Sequence, residues 1–337
     1  MDKVVLNTGR KKINWILILQ GWAMLWVVIG HSTIGSKDLW PEYARVLFKF
    51  AYSFHMALFM FTSGFLFFMT RLAVEKWTYK AIIIDKAKRL LIPGLVFFLV
   101  ALGLKLAFPE EMTRKVELGA HELLRMVFFP YKNPFREMWF IAALFWMFVL
   151  TPIWKWTLGG NVRTIIMLMF LIPLHLYYPH HPYMGILSIG DLCNYAIWFF
   201  GGMLMSKSGI VNSIINRNMP WMPIAVGATL YAIGYLFNPF GMKAGGIIMS
   251  IGLSLVIDKY IPSMFKGFRN YTYQIFLMGI FCQFLVKIIY SHVHMPYLIA
   301  YLLCIVVGLY IPVLISKILE KTNNSFLLCC VGLKKRS

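Results

Sequence analysis

Residues 13–33 read INWILILQGWAMLWVVIGHST and follow directly on the basic cluster Arg10, Lys11 and Lys12. An α-helix rises about 1.5 Å per residue, so roughly 20 apolar residues cross the ~30 Å hydrocarbon layer of a bilayer. The run is too long for the apolar core of a cleaved signal peptide, and no small-x-small site follows it. It reads as a first membrane span.

Outward from this stretch, apolar runs predict further spans near 50–70, 90–108, 137–153, 164–178, 188–205, 220–237, 244–257, 272–291 and 296–316, with 244–257 short. The expected fold is all-α, a polytopic membrane helix bundle of about ten transmembrane helices forming one integral membrane domain over 1–337. Composition agrees, since hydrophobic residues make up 60% of the chain and charged residues 14%, against about 25% charged in soluble domains. No period of 20 to 50 residues repeats, which excludes a solenoid.

Charge orients the spans. With the N-terminus inside, the inner segments carry most of the Lys and Arg, so the positive-inside rule places both termini in the cytoplasm. The net charge of +20 is then mainly a topology signal. The spans leave no soluble domain to hold nucleic acid, which is excluded as a partner. The chain is expected in a bacterial inner (cytoplasmic) membrane, in contact with lipid. A second copy of the chain is left open as a further partner.

One inner loop, 71–89, holds Arg71, Lys76, Lys80, Lys86, Lys88 and Arg89 against Glu75 and Asp85. It reads either as a stop-transfer and headgroup-contact segment or as a cytoplasmic anion site, because Arg and Lys bind phosphates through charge-assisted hydrogen bonds. The longest outer segment, 109–136, contains VELGAHELLRMVFF, in which Leu118, Leu123, Met126 and Val127 are spaced for one apolar face of an interfacial helix. The five cysteines, at 193, 282, 304, 329 and 330, show neither CxxC nor ligand-like spacing to histidine. Neither a disulfide framework nor a bound metal is expected.

Ionisable groups in hydrocarbon cost several kcal/mol, so those that persist usually line a cavity or pathway. His31 falls in the outer part of the first span and His55 near the same depth of the second. The two imidazoles are therefore expected to share a cavity. Glu137 opens the fourth span, Asp191 and Asn194 the sixth, and Asn238 ends the seventh, which suggests an outer polar vestibule. Ser63 and Gly64, with the later pairs Gly201–Gly202 and Gly245–Gly246, read as sites of close helix packing. Lys105 and Lys287 sit near span ends, where they can snorkel, and receive no role.

The segment Gln20-Gly21-Trp22-Ala23-Met24-Leu25-Trp26-Val27-Val28-Ile29-Gly30-His31-Ser32 resembles the first span of the acyltransferase-3 family. Phe54-His55-Met56-Ala57-Leu58-Phe59 through Ser63-Gly64-Phe65 resembles its second-span signature. Further echoes are Lys86-Ala87-Lys88-Arg89-Leu90-Leu91-Ile92-Pro93, Met138-Trp139-Phe140-Ile141 and Tyr273-Gln274-Ile275-Phe276-Leu277, so the likeness runs along essentially the whole chain. It implies transfer of an acyl group, commonly acetyl from cytoplasmic acetyl-CoA, to hydroxyls of extracytoplasmic or lipid-linked glycans or related acceptors. It also implies that His31 matches the family's essential histidine and that Lys86 and Arg89 match a basic pair on the donor side. The chain departs from the pattern at Gln20, where the family usually has arginine, at Leu17, usually acidic, and at Met278-Gly279, where a histidine is common.

Removing a hydroxyl proton near neutral pH suits histidine. His31 is accordingly the expected general base, with His55 and Glu137 as further catalytic candidates. Arg71, Lys86, Lys88 and Arg89 are the candidate ligands of the acyl-CoA phosphates, with the pantetheine arm reaching inward between spans. An acyl-histidine intermediate is the variant mechanism. A transporter or flippase of a glycan intermediate is the alternative function, in which Pro152, Pro173 and Pro312 would break spans. A non-catalytic family member is another.

Overall fold

The computed structural model describes residues 2–74, 77–108, 119–177 and 182–334, with side chains from residue 14 onward except those of 182–184. Every regular element among the described residues is helical. In chain order these are α1 (Asp2–His31), α2 (Glu42–Phe67), α3 (Tyr79–Lys86), α4 (Ile92–Ala107) and α5 (Ala120–Phe128). Next come α6 (Met138–Val149), α7 (Thr151–Leu158), α8 (Asn161–Tyr177), α9 (Ile189–Ser208) and α10 (Ile210–Asn216). The chain continues through α11 (Met222–Phe237), α12 (Pro239–Tyr260), α13 (Thr272–His292), α14 (Tyr297–Thr322) and α15 (Ser325–Cys330).

Among the described residues, seven helical stretches are long and apolar enough to cross a membrane, and the bent pair α6 and α7 makes an eighth when taken as one. By length and composition alone the expected count of ten is therefore met only in part. At the two remaining predicted positions stand the shorter apolar helices α8 and α11, of 17 and 16 residues. The run expected to be short is instead the 22-residue helix α12, because Pro239 to Lys243 continue it at its N-terminal end and Asp258 to Tyr260 at its C-terminal end. Segment 71–89 is likewise not a loop throughout: the second span runs Glu42–Leu72 and the third starts at Tyr79. These two spans have 31 and 29 residues, well beyond the roughly 20 that hydrocarbon requires. Lys76 and Glu75 lie outside the described residues, as does Leu118. Within the segment expected to hold an interfacial helix stands α5, with Met126 buried and Leu123, Leu124, Val127 and Phe128 exposed.

Two units of mutual contact make up the chain, Met1–Thr62 with Ser208–Lys317, and Ser63–Lys207 with Ile318–Ser337. In the first, α1 packs on α12 and α13. Met24, Val27 and Val28 bury against Phe268, Ile275, Leu309 and Val313. The indole N–H of Trp22 donates to Ser250 Oγ at 3.1 Å. Helices α11 and α12 form a hairpin in backbone contact: a Cβ on Gly234 would lie 2.1 Å from Met242 N, and one on Gly245 2.3 Å from Tyr231 N. Small residues give such close approach in membranes, where lipid removes the hydrophobic drive between helices. The opposite side of α11 leaves Val226, Ile233 and Leu236 exposed.

In the second unit, Gly64 admits the carbonyl of Phe199, which would stand 1.9 Å from an added Cβ. An aromatic core follows, with ring centroids of Phe67 and Phe148 4.9 Å apart and of Phe148 and Phe199 5.7 Å apart. Between α6 and α7 the axis bends by 53° at Pro152, which has no N–H for the carbonyl of Phe148. Thr151 Oγ1 donates to that carbonyl instead, and the Trp154 indole donates to Met147 O. Pro173 and Pro312, by contrast, lie inside continuous helices.

Gly64→Ala is expected to lower the unfolding free energy by about 1–3 kcal/mol or more through overpacking. Gly103→Ala, with nothing within 4 Å of the added carbon, is expected to be neutral or to stabilise by up to ~1 kcal/mol. Thermal unfolding of the two variants in one detergent checks this, and equal melting temperatures would contradict the packing at Phe199.

Candidate functional site

His31 is the last residue of α1, and the last four carbonyls of a helix have no partner within it. In an apolar surrounding each such group needs another donor. Here the donors come from α13 and α14. Gln283 Nε2 donates to Val28 O at 3.0 Å and to Ser32 Oγ at 2.9 Å, while Ser32 Oγ donates to Val28 O at 2.7 Å. Tyr301 donates its hydroxyl to Ile29 O at 3.3 Å. Lys287 Nζ donates to the carbonyl of His31 itself at 2.8 Å.

Gln283 and Lys287 are four residues apart and so share one face of α13. A cation at a helix C-terminus also interacts favourably with the helix dipole. Gly308 leaves the room Gln283 needs, since a Cβ there would lie 2.9 Å from Gln283 Cγ. The backbone under His31 is thereby fixed from three sides. Lys287 thus has a partner that a snorkelling residue would lack, and the sequence reading missed it.

The imidazole of His31 is half-buried. Its ring centroid lies 6.0 Å from that of Tyr52, and Tyr52 lies 4.8 Å from His55. Gly30 permits this approach, because a Cβ there would meet Tyr52 Cε2 at 2.9 Å. The two histidines therefore flank one tyrosine ring. His55 is buried, and its Nδ1–H donates to Ala51 O at 2.6 Å. Glu137 stands half-buried at the N-cap of α6, in the second unit. A carboxylate there is favoured by the helix dipole.

The basic candidates lie in the second unit. Two π-helical turns, Phe68–Leu72 and Ala87–Leu91, carry Arg71 and the pair Lys88 and Arg89. Such turns are rare and occur often at functional sites. Between them stands Asp85. Its Oδ2 pairs with Arg71 at 3.1 Å and Arg89 at 4.0 Å, and its Oδ1 with Lys334 at 3.2 Å. The Arg71 guanidinium lies 3.9 Å over the Trp77 ring. Lys86 Nζ lies 4.1 Å over Phe148 and 5.9 Å over Phe67, cation–π contacts that hold the ammonium among aromatic faces. Lys88 is exposed.

Several cations thus share one carboxylate, and the buried Nε–H of Arg71 makes no hydrogen bond among the described residues. A donor held out of water without a partner suits an added acceptor such as a phosphate oxygen. The sequence supplied Arg71, Lys86 and Arg89 but not Trp77, Phe148 or Lys334. Gln283 and Lys287 form a polar pair at helical spacing in an apolar span, the sequence pattern of a helix face that meets other polar groups.

The family model described as "Acyltransferase domain" matches residues 13–317. No curated protein and no solved structure matches the chain significantly.

Gln283→Leu leaves the end of α1 short of a donor and is expected to cost about 1–3 kcal/mol of stability. Thermal unfolding in detergent measures it, and an unchanged melting temperature would show that α1 ends without help from α13.

Proposed function

The chain belongs to the acyltransferase-3 family of membrane acyltransferases, and we propose that it transfers an acyl group, acetyl in the first instance, from acyl-CoA to a hydroxyl of a glycan. The observation that carries the reading is the half-buried imidazole of His31 on a backbone fixed by Gln283, Tyr301 and Lys287. General-base catalysis needs a group positioned before the reaction begins.

In this mechanism His31 takes the proton of the acceptor hydroxyl as its oxygen attacks the thioester carbonyl. The carbon–sulfur bond then breaks, and the proton passes to the leaving thiolate. The products are the ester and the free thiol. Lys287 acts as a positioning residue through the carbonyl of His31. Tyr52 shapes the wall beside the imidazole. His55, whose Nδ1–H is engaged by Ala51, and Glu137 are assigned supporting places rather than proton transfer. Arg71, Lys86, Lys88 and Arg89 bind the donor's phosphates on the cytoplasmic side of a bacterial inner membrane.

Transfer of labelled acetyl from acetyl-CoA to cell-envelope glycan, by membranes matched for expression, tests the reading. His31→Ala is expected to lose about 10²- to 10⁴-fold in rate, the range of a general base. Label transfer undiminished in that variant would remove His31 from the chemistry. Absence of transfer by wild-type membranes would count against acetyl-CoA as donor.

Lys287→Met should lower kcat about ten- to hundredfold with little change in the donor KM, as expected of misplacement at the reacting end. Lys287→Arg should restore part of it. A change confined to the donor KM would contradict the positioning role.

A further inference from the structure

The C-terminal segment is built rather than trailing. Asn324 caps α15, its Oδ1 accepting from Phe326 N at 2.9 Å and Leu327 N at 3.3 Å. Leu328 and Val331 are buried, and α15 packs on α4. Gly332, at φ +71°, ends the helix in the left-handed conformation that glycine adopts without strain. Leu333 N donates to Leu328 O at 2.8 Å and Gly332 N to Cys329 O at 3.1 Å. This is the paired hydrogen-bond pattern of a Schellman cap. It delivers the next residue, Lys334, to Asp85 Oδ1 at 3.2 Å.

A bare carboxylate amid groups meant for phosphate would repel it. Asp85 is not bare: Arg71 occupies one oxygen and Lys334 the other. The carboxylate therefore serves as a post on which cations from separate parts of the chain are strung. An ammonium has three N–H donors, of which one faces Asp85, and the Lys334 side chain is 60% exposed. Among the described residues Asp85 is the anion it meets, so the remaining donors can take a further one.

We propose that the C-terminal segment forms a third wall of the anion site, with Lys334 joining Arg71, Lys86 and Arg89 in binding a polyphosphate. The ligand class is the nucleotide phosphates of the acyl-CoA donor, and to that extent the inference rests on the donor reading above. Anionic lipid headgroups offer the same phosphate chemistry, so the test separates the two.

Coenzyme A binding is measured by titration calorimetry on the full chain in nanodiscs of neutral phosphatidylcholine. Lys334→Ala is expected to weaken it about five- to twentyfold, the loss of one charge-assisted hydrogen bond discounted for exposure. Lys334→Glu should weaken it further, and Lys334→Arg should restore it, all with the wild-type melting temperature. Gly332→Ala, which strains the turn that carries Lys334, should reproduce the alanine effect.

Equal affinity of wild type, Lys334→Ala and Lys334→Glu for coenzyme A would overturn the inference while leaving the donor reading intact. No binding by wild type would overturn the donor reading itself. Retention of phosphatidylglycerol that depends on Lys334, without any such dependence for coenzyme A, would assign the wall to lipid and also overturn the inference.

Discussion

The end of α1 is the constraint around which the first unit is arranged. A helix that stops beside apolar side chains leaves carbonyl oxygens that water cannot reach, and each costs free energy until a donor is found. Ser32 meets part of that need locally, and Gln283, Tyr301 and Lys287 meet the rest from helices some 250 residues away. Fixing those oxygens fixes His31. The interaction that lets the helix terminate is therefore the same one that holds the candidate base.

Similar arithmetic governs the second unit. Pro152 cannot donate to Phe148 O, so Thr151 and Trp154 close the gap, and the chain turns by 53° without abandoning its backbone groups. Gly64 lets α2 meet the Phe199 carbonyl, and the aromatic rings gathered there provide the faces over which Lys86 lies. Packing and charge placement are linked: the phenylalanines that fill the core are also the ones that receive the ammonium.

Asp85 shows how a negative group can belong to the proposed anion site. Its oxygens order Arg71, Arg89 and Lys334, and the π turns on either side set the register of the two arginines. Arg89 and Lys334 are exposed partners, and such ion pairs contribute little to stability on their own. Their value here lies in geometry, since several long side chains share one fixed point. Membership of an acyltransferase family gives that geometry a chemical context.

By itself the sequence determined that the chain is helical and membrane-spanning and where its apolar runs lie, and it showed a resemblance that singles out His31 and the basic pair Lys86 and Arg89. Hydrocarbon imposes length and apolarity on each segment separately, so those properties are written locally. Only the tertiary structure decided which polar groups meet. It turned Lys287 from a snorkelling residue into the partner of His31 and placed Tyr52 between two histidines. It also made much of segment 71–89 helical, broke the chain at Pro152 but not at Pro312, and carried Lys334 to Asp85. Each outcome depends on a partner distant in sequence or on a helix register that one extra residue per turn can shift, and local composition encodes neither.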